Sequence, residues 1–113
     1  MAIDHVVHVF HVALRADWAA AQAVGEYRVS TLGRSLEEEG FLHLSYADQW
    51  PGVLAAYYSD VQEPLVLLEV DPDLLGRPLV VEAPPGSEPG AEEFPHLYGP
   101  LPVAAVVDVQ PLR

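Results

Sequence analysis

The stretch Pro64-Leu65-Val66-Leu67-Leu68-Glu69-Val70 decides the fold class of this 113-residue chain. Five of its seven positions are Leu or Val, and Asp71-Pro72-Asp73 closes it with a turn. An apolar run this short reads as a strand, and its lack of polar alternation implies cover on both faces. It should be the centre of a sheet.

Working outward, Val6 to Val12 is dense in β-branched and aromatic residues with histidines interleaved, which predicts a first strand. Ala16 to Val24 is rich in alanine with an acid at its start, and Gly25 stands where a left-handed cap would end a helix. A second short helix is expected from Ser30 or Thr31 to Glu39, stopped by Gly40 before a short strand over Phe41-Leu42-His43-Leu44. Ser45 and Asp48 have capping-box spacing ahead of an apolar helical stretch from Val53 to Tyr58, with Pro51 forcing a later start or a kink. After the central strand, Leu79 to Glu82 and Val103 to Val109 read as strands, and residues 83–92 as a Pro/Gly loop. Five strands and two or three short helices make one α+β domain over residues 1–113, with no internal repeat.

Composition narrows the chemistry. Seventeen acids oppose five arginines and no lysine, a formal net charge of -12, which repels polyphosphate and argues against nucleic-acid or polybasic membrane binding. Zero cysteines remove disulfides, thiolate zinc sites and cysteine nucleophiles. No run approaches the roughly 20 apolar residues of a membrane span, and Met-Ala-Ile-Asp lacks the basic start of a secretory signal. A soluble, cytoplasmic protein is expected.

His5, His8 and His11 are spaced by three, but a strand would set His8 on the face opposite the other two, so no metal site is expected. His5 and His8 read as exposed or half-buried strand positions. His43 sits inside an apolar strand, and a buried imidazole requires polar partners. Ser45 shares its face but lies about 7 Å along the strand, too far for a serine–histidine nucleophile pair. Phe94-Pro95-His96-Leu97-Tyr98-Gly99-Pro100-Leu101 is a stiff aromatic segment, suited either to a binding site or to a tight corner of the core. Glu37, Glu38 and Glu39 read as a solvated helix face.

Taken together, His11, Trp18, Gly25-Glu26-Tyr27, Glu39-Gly40-Phe41-Leu42-His43-Leu44-Ser45, Gln49, Leu67 to Asp71 and Phe94 to Leu101 resemble the DUF952 family of small bacterial proteins along nearly the whole chain. That family carries no established reaction. The resemblance implies grouping with the ADP-ribosyltransferase-like superfamily, and so a small split β-sheet with an NAD cleft. It implies His11 as a ribose-binding histidine, Tyr98 or Tyr27 as the ring that stacks on nicotinamide, and Glu82 as the orienting acid. Ala13 stands where many relatives have Thr, and only Arg15, Arg28 and Arg34 lie near such a cleft in sequence. A phosphotransferase acting on RNA, which needs several arginines, is the branch least favoured.

Two classes of function follow. One is a transferase or glycohydrolase acting on NAD or a similar nucleotide, with His11, His43 and Glu82 as catalytic residues and Trp18, Arg15, Arg34, Ser45, His96 and Tyr98 binding ligand. The other is a non-catalytic pocket for a small metabolite on the same fold. NAD is the one cofactor implied. The three histidines His11, His43 and His96 are expected to meet around one cleft, and an acid, Glu82 or Glu69, pointing into it would favour the enzyme.

Overall fold

The computed structural model describes residues 7–113. Its elements run β1 (Val9–Leu14), α1 (Arg15–Val24), β2 (Glu26–Tyr27), β3 (Val29–Thr31), β4 (Arg34–Ser35), α2 (Leu36–Glu39), β5 (Leu42–His43), α3 (Trp50–Tyr57), β6 (Leu65–Val70), β7 (Val80–Glu82), β8 (Phe94–Leu97), β9 (Leu101–Pro102) and β10 (Val106–Pro111). Single 3₁₀ turns at Pro72–Leu74 and Val103–Ala105 link the later strands. This is an α+β fold with three helices and several small antiparallel sheets, the strand pairs being β2–β9 and β3–β4 and the three-stranded sheets β1-β6-β10 and β5-β8-β7.

β6 is central, between β1 and β10, as its unbroken apolar run requires. Val66, Leu68 and Val70 face one core with Trp18, Tyr27, Leu42 and Leu97. Leu65 and Leu67 face a second core with Val12 and Tyr58, against which Trp50, Val53 and Leu54 pack. Alternate residues of one strand thus bury on opposite sides, each contributing on the order of 1.5–3 kcal/mol.

The glycine caps at Gly25 (φ 92°) and Gly40 (φ 87°) stand where the sequence places them, and both are left-handed. Other expectations are corrected. The first strand runs from Val9 to Leu14, past the expected end at Val12, with His11 inside it; Val6 lies outside the described residues. Residues from Ser30 to Glu39 are not one helix. Val29–Thr31 and Arg34–Ser35 pair as a hairpin, with Gly33 at φ 73° in the turn, and only Leu36–Glu39 is helical. The β-branched Val29 and Thr31 favour extended backbone.

The capping box belongs to Ser35 and Glu38, not to Ser45 and Asp48. Ser45 is instead tied to Phe10, its N–H donating to the Phe10 carbonyl at 2.8 Å and its carbonyl accepting from Phe10 at 2.7 Å. This bridge joins β1 to the segment after β5 and leaves α3 to begin at Trp50, with Pro51 in its first turn where no N–H partner is lost. Val103–Ala105 forms a 3₁₀ turn, so the last strand starts at Val106 and reaches Pro111. Residues 83–92 carry no helix or strand. Among the described residues, no helix is long and apolar enough to cross a membrane.

Candidate functional site

Between β1, β3, β5 and α3 lies a cavity of about 250 Å3. Its apolar wall is Val12, Leu44, Val53, Pro84 and Phe94, with Tyr57 and Tyr58 from the end of α3. Its polar groups are His11, Ser30, Thr31, Glu39, His43 and Ser45. Antiparallel register explains the convergence: the Phe10–Ser45 bridge lays β1 beside β5, and His43 pairs with His96 across β5 and β8.

His11 is buried and both of its ring nitrogens are engaged. Nδ1 lies 2.7 Å from the His43 carbonyl, which can only accept, so Nδ1 carries the proton. Nε2 then accepts from the Tyr27 hydroxyl at 3.2 Å. Burial lowers the His11 pKa to about 4, and the ring is neutral at pH 7. Burial also raises the Tyr27 phenol well above its ordinary value, which keeps it a donor. His11 therefore fixes the backbone of His43 and walls the cavity.

His43 is half-buried. Its pKa is lowered, first by burial and then by the neighbouring His96, with Glu39 opposing. Glu39 Oε1 stands 3.9 Å from His43 Nε2, too long for a hydrogen bond, while Oε2 is held by Arg34 at 2.6 Å. The four-residue separation of Glu39 and His43 spans the end of α2, the glycine cap and the start of β5.

Behind His43 lies a second cluster that does not reach the cavity wall. His96 is fully buried, stacked on Phe41 with centroids 4.1 Å apart, and its ring meets that of His43 edge-on at 4.8 Å. His96 Nδ1 donates to Glu82 Oε2 at 2.9 Å, and the Tyr98 hydroxyl donates to the same oxygen. These two donors hold the Glu82 carboxyl below its usual value, the Tyr98 bond contributing most. His96 Nε2 has no partner among the described residues.

The residues singled out from sequence thus divide. His11, His43 and Ser45 line the cavity. His96 and Glu82 stand behind it, and Tyr98 is exposed beside them with Arg77 donating to its carbonyl at 2.7 Å. Trp18 is packed in the main core with Ala21, the two buried residues of α1. Arg15 is exposed and outside the lining, and Arg34 is exposed and committed to Glu39. Arg28 is bound to Glu37 and Glu26. Neither Glu82 nor Glu69 enters the cavity, since Glu82 turns to His96 and Glu69 binds His8 Nδ1 at 2.6 Å. The acid that does enter is Glu39, which its place beside Glu37 and Glu38 disguised as a solvated residue. Its position four residues before His43 was the available signal. His5 lies outside the described residues, and His8 lies just before β1, half-buried. Among the described residues no three His, Asp or Glu side chains are grouped to hold a metal ion.

The model of a family described as a protein of unknown function, DUF952, matches residues 12–109. The chain belongs to the DUF952 family. A crystal structure of the protein CC0527 from Caulobacter crescentus superposes with a TM-score of 0.77 at 34% identity, over 94% of this chain and 86% of that one. The solution structure of CC0527 superposes with a TM-score of 0.70 at 34% identity, over 91% and 82%. No curated protein matches the chain. The DUF952 match runs from within β1 to within β10 and contains every residue that lines the cavity except His11, one position before it.

Proposed function

We propose that this DUF952 domain binds a small organic molecule that carries no phosphate, in the cavity between β1, β3, β5 and α3. One observation carries the reading: an apolar and aromatic wall faces a few converging hydrogen-bonding groups, while Arg15, Arg28, Arg34, Arg77 and Arg113 all lie outside the lining. Concave, mostly apolar sites with a small polar set are the usual form of metabolite pockets. A phosphate needs guanidinium groups or a nest of amides, and none of the five arginines lines the cavity, Arg34 being held on Glu39 Oε2. About 250 Å3 suits a substituted ring or a nucleoside rather than a dinucleotide. Thermal-shift and calorimetric titration with adenosine, nicotinamide riboside and NAD tests this. The nucleosides should bind at least as well as NAD, and tenfold tighter binding of NAD would overturn it.

A second reading has its own observation. His43 is neutral at pH 7, lines the cavity and stands beside Glu39, the arrangement of a residue able to accept a proton. On that reading the domain is ADP-ribosyltransferase-like and breaks the N-glycosidic bond of NAD or a similar nucleotide, the ribosyl carbon passing to an acceptor or to water as the base leaves, with His43 and Glu39 at the reacting centre. His11, with both nitrogens engaged, would position His43. Release of nicotinamide from NAD by the wild type, abolished in His43→Asn, would establish this reading in place of the first. No release over hours at micromolar protein would remove it.

A further inference from the structure

Charge and surface chemistry inside the cavity go further than its size. Among the described residues, Glu39 is the single acid of the lining, which holds no Lys or Arg. The two imidazoles beside it are neutral, because burial disfavours their protonated forms. Tyr57, Tyr58 and Phe94 supply aromatic surface to the same space. Tyr58 stays protonated, its pKa pushed up to about 12 by burial. A carboxylate with aromatic rings around a concave volume is the environment that stabilises an organic cation, through direct attraction and through the ring quadrupoles. An anion there would meet a like charge, offset only by Arg34 from outside the lining.

Resting on the reading of this cavity as a small-molecule site, we propose that its ligand is an organic monocation, an ammonium or N-alkylated ring of less than dinucleotide size, with Glu39 as the selecting group and Tyr57 and Phe94 as the aromatic walls. Arg34 takes part as a competitor. It is exposed and holds Glu39 Oε2 at 2.6 Å, whereas Oε1 lies towards His43. An exposed ion pair of this kind is worth little and is screened by salt, so an arriving cation can share or displace it. The net charge of -12 draws cations to the whole surface, and the cavity mouth with it.

The test uses three probes of matched size and different charge: 2-phenylethylammonium, 2-phenylethanol and 3-phenylpropionate, titrated at pH 7 by calorimetry and by amide NMR shifts at Thr31, His43 and Ser45. The ammonium should bind at least tenfold tighter than the alcohol, the carboxylate should bind weakest, and added salt should weaken the ammonium alone. Glu39→Gln should bring ammonium and alcohol to equal affinity. Arg34→Gln should tighten the ammonium by two- to threefold, the opposite of its effect on an anionic ligand. Equal binding of ammonium and alcohol by the wild type would overturn the cation proposal and leave the small-molecule site standing. If none of the three moves those amides at 10 mM, both fall. The wild-type series decides the proposal even if Glu39→Gln does not fold.

Discussion

Acid should destabilise this protein well before its carboxylates titrate, and His11 is the reason. Its folded pKa is about 4 against the ordinary 6.5, because burial disfavours the imidazolium more than the His43 carbonyl favours it. Below pH 6.5 the unfolded chain binds a proton that the folded protein refuses, so stability falls as pH drops from about 6.5 towards 4 and is unaffected by this group above 7. The cost reaches about 2 kcal/mol at pH 5 and levels off at about 3 kcal/mol once the pH falls below the folded pKa. For a domain this small that is a large part of the whole stability. His43 acts in the same direction, its pKa also being lowered by burial. A control therefore isolates His11: Gln at that position can donate to the His43 carbonyl and accept from Tyr27, yet does not titrate. Urea unfolding of wild type and His11→Gln at pH 7, 6 and 5 should show the wild type losing about 2 kcal/mol more than the variant across that range. Equal losses in the two proteins, or an NMR titration of His11 with a midpoint near 6.5, would refute the reasoning.

Tyr27→Phe removes the buried donor to His11 Nε2 and should cost about 1–3 kcal/mol in urea unfolding, the scale of a buried group left unpaired. Leu68→Ala, at a fully buried position in the centre of β6, should cost about 2–5 kcal/mol by the same assay through the cavity it opens. His43→Asn should behave differently, since the contact it makes to His11 runs through its backbone carbonyl. Its melting temperature should fall by only a few degrees while affinity for whichever probe the wild type binds drops about tenfold, measured by calorimetry. Unchanged affinity with a depressed melting temperature would remove His43 from the site.

Several elements were legible because their cause is local. Ala16 to Val24 forms a helix ended by Gly25, since alanine favours the helix and glycine alone adopts the left-handed cap without strain. Residues 65–70 announced a doubly covered central strand through the plain absence of polar alternation. Two helix starts were misjudged for a reason also local in scale but distant in origin. Ser45 has the spacing of a cap, yet its backbone is drawn into a bridge with Phe10, 35 positions earlier in the chain. Ser30 and Thr31 could open a helix, but pairing with Arg34–Ser35 and the Ser30 bond to the Phe41 carbonyl at 2.6 Å hold them extended.

The sequence by itself determined the family, the α+β class, the covered central strand, the exclusion of cysteine chemistry and the prominence of His11, His43 and His96. Residue type and near-neighbour pattern carry these, through periodicity, capping and charge count. Tertiary structure alone decided what each polar group does. It spent both nitrogens of His11 on internal bonds, turned Glu82 away to His96, buried Trp18 in the core and brought Glu39 to His43 at the cavity. A side chain's pKa and availability depend on partners that antiparallel pairing brings from 16 to 32 positions away in the case of His11. No short-range pattern encodes those distances, because they are set by the register of strands that meet only in the folded chain.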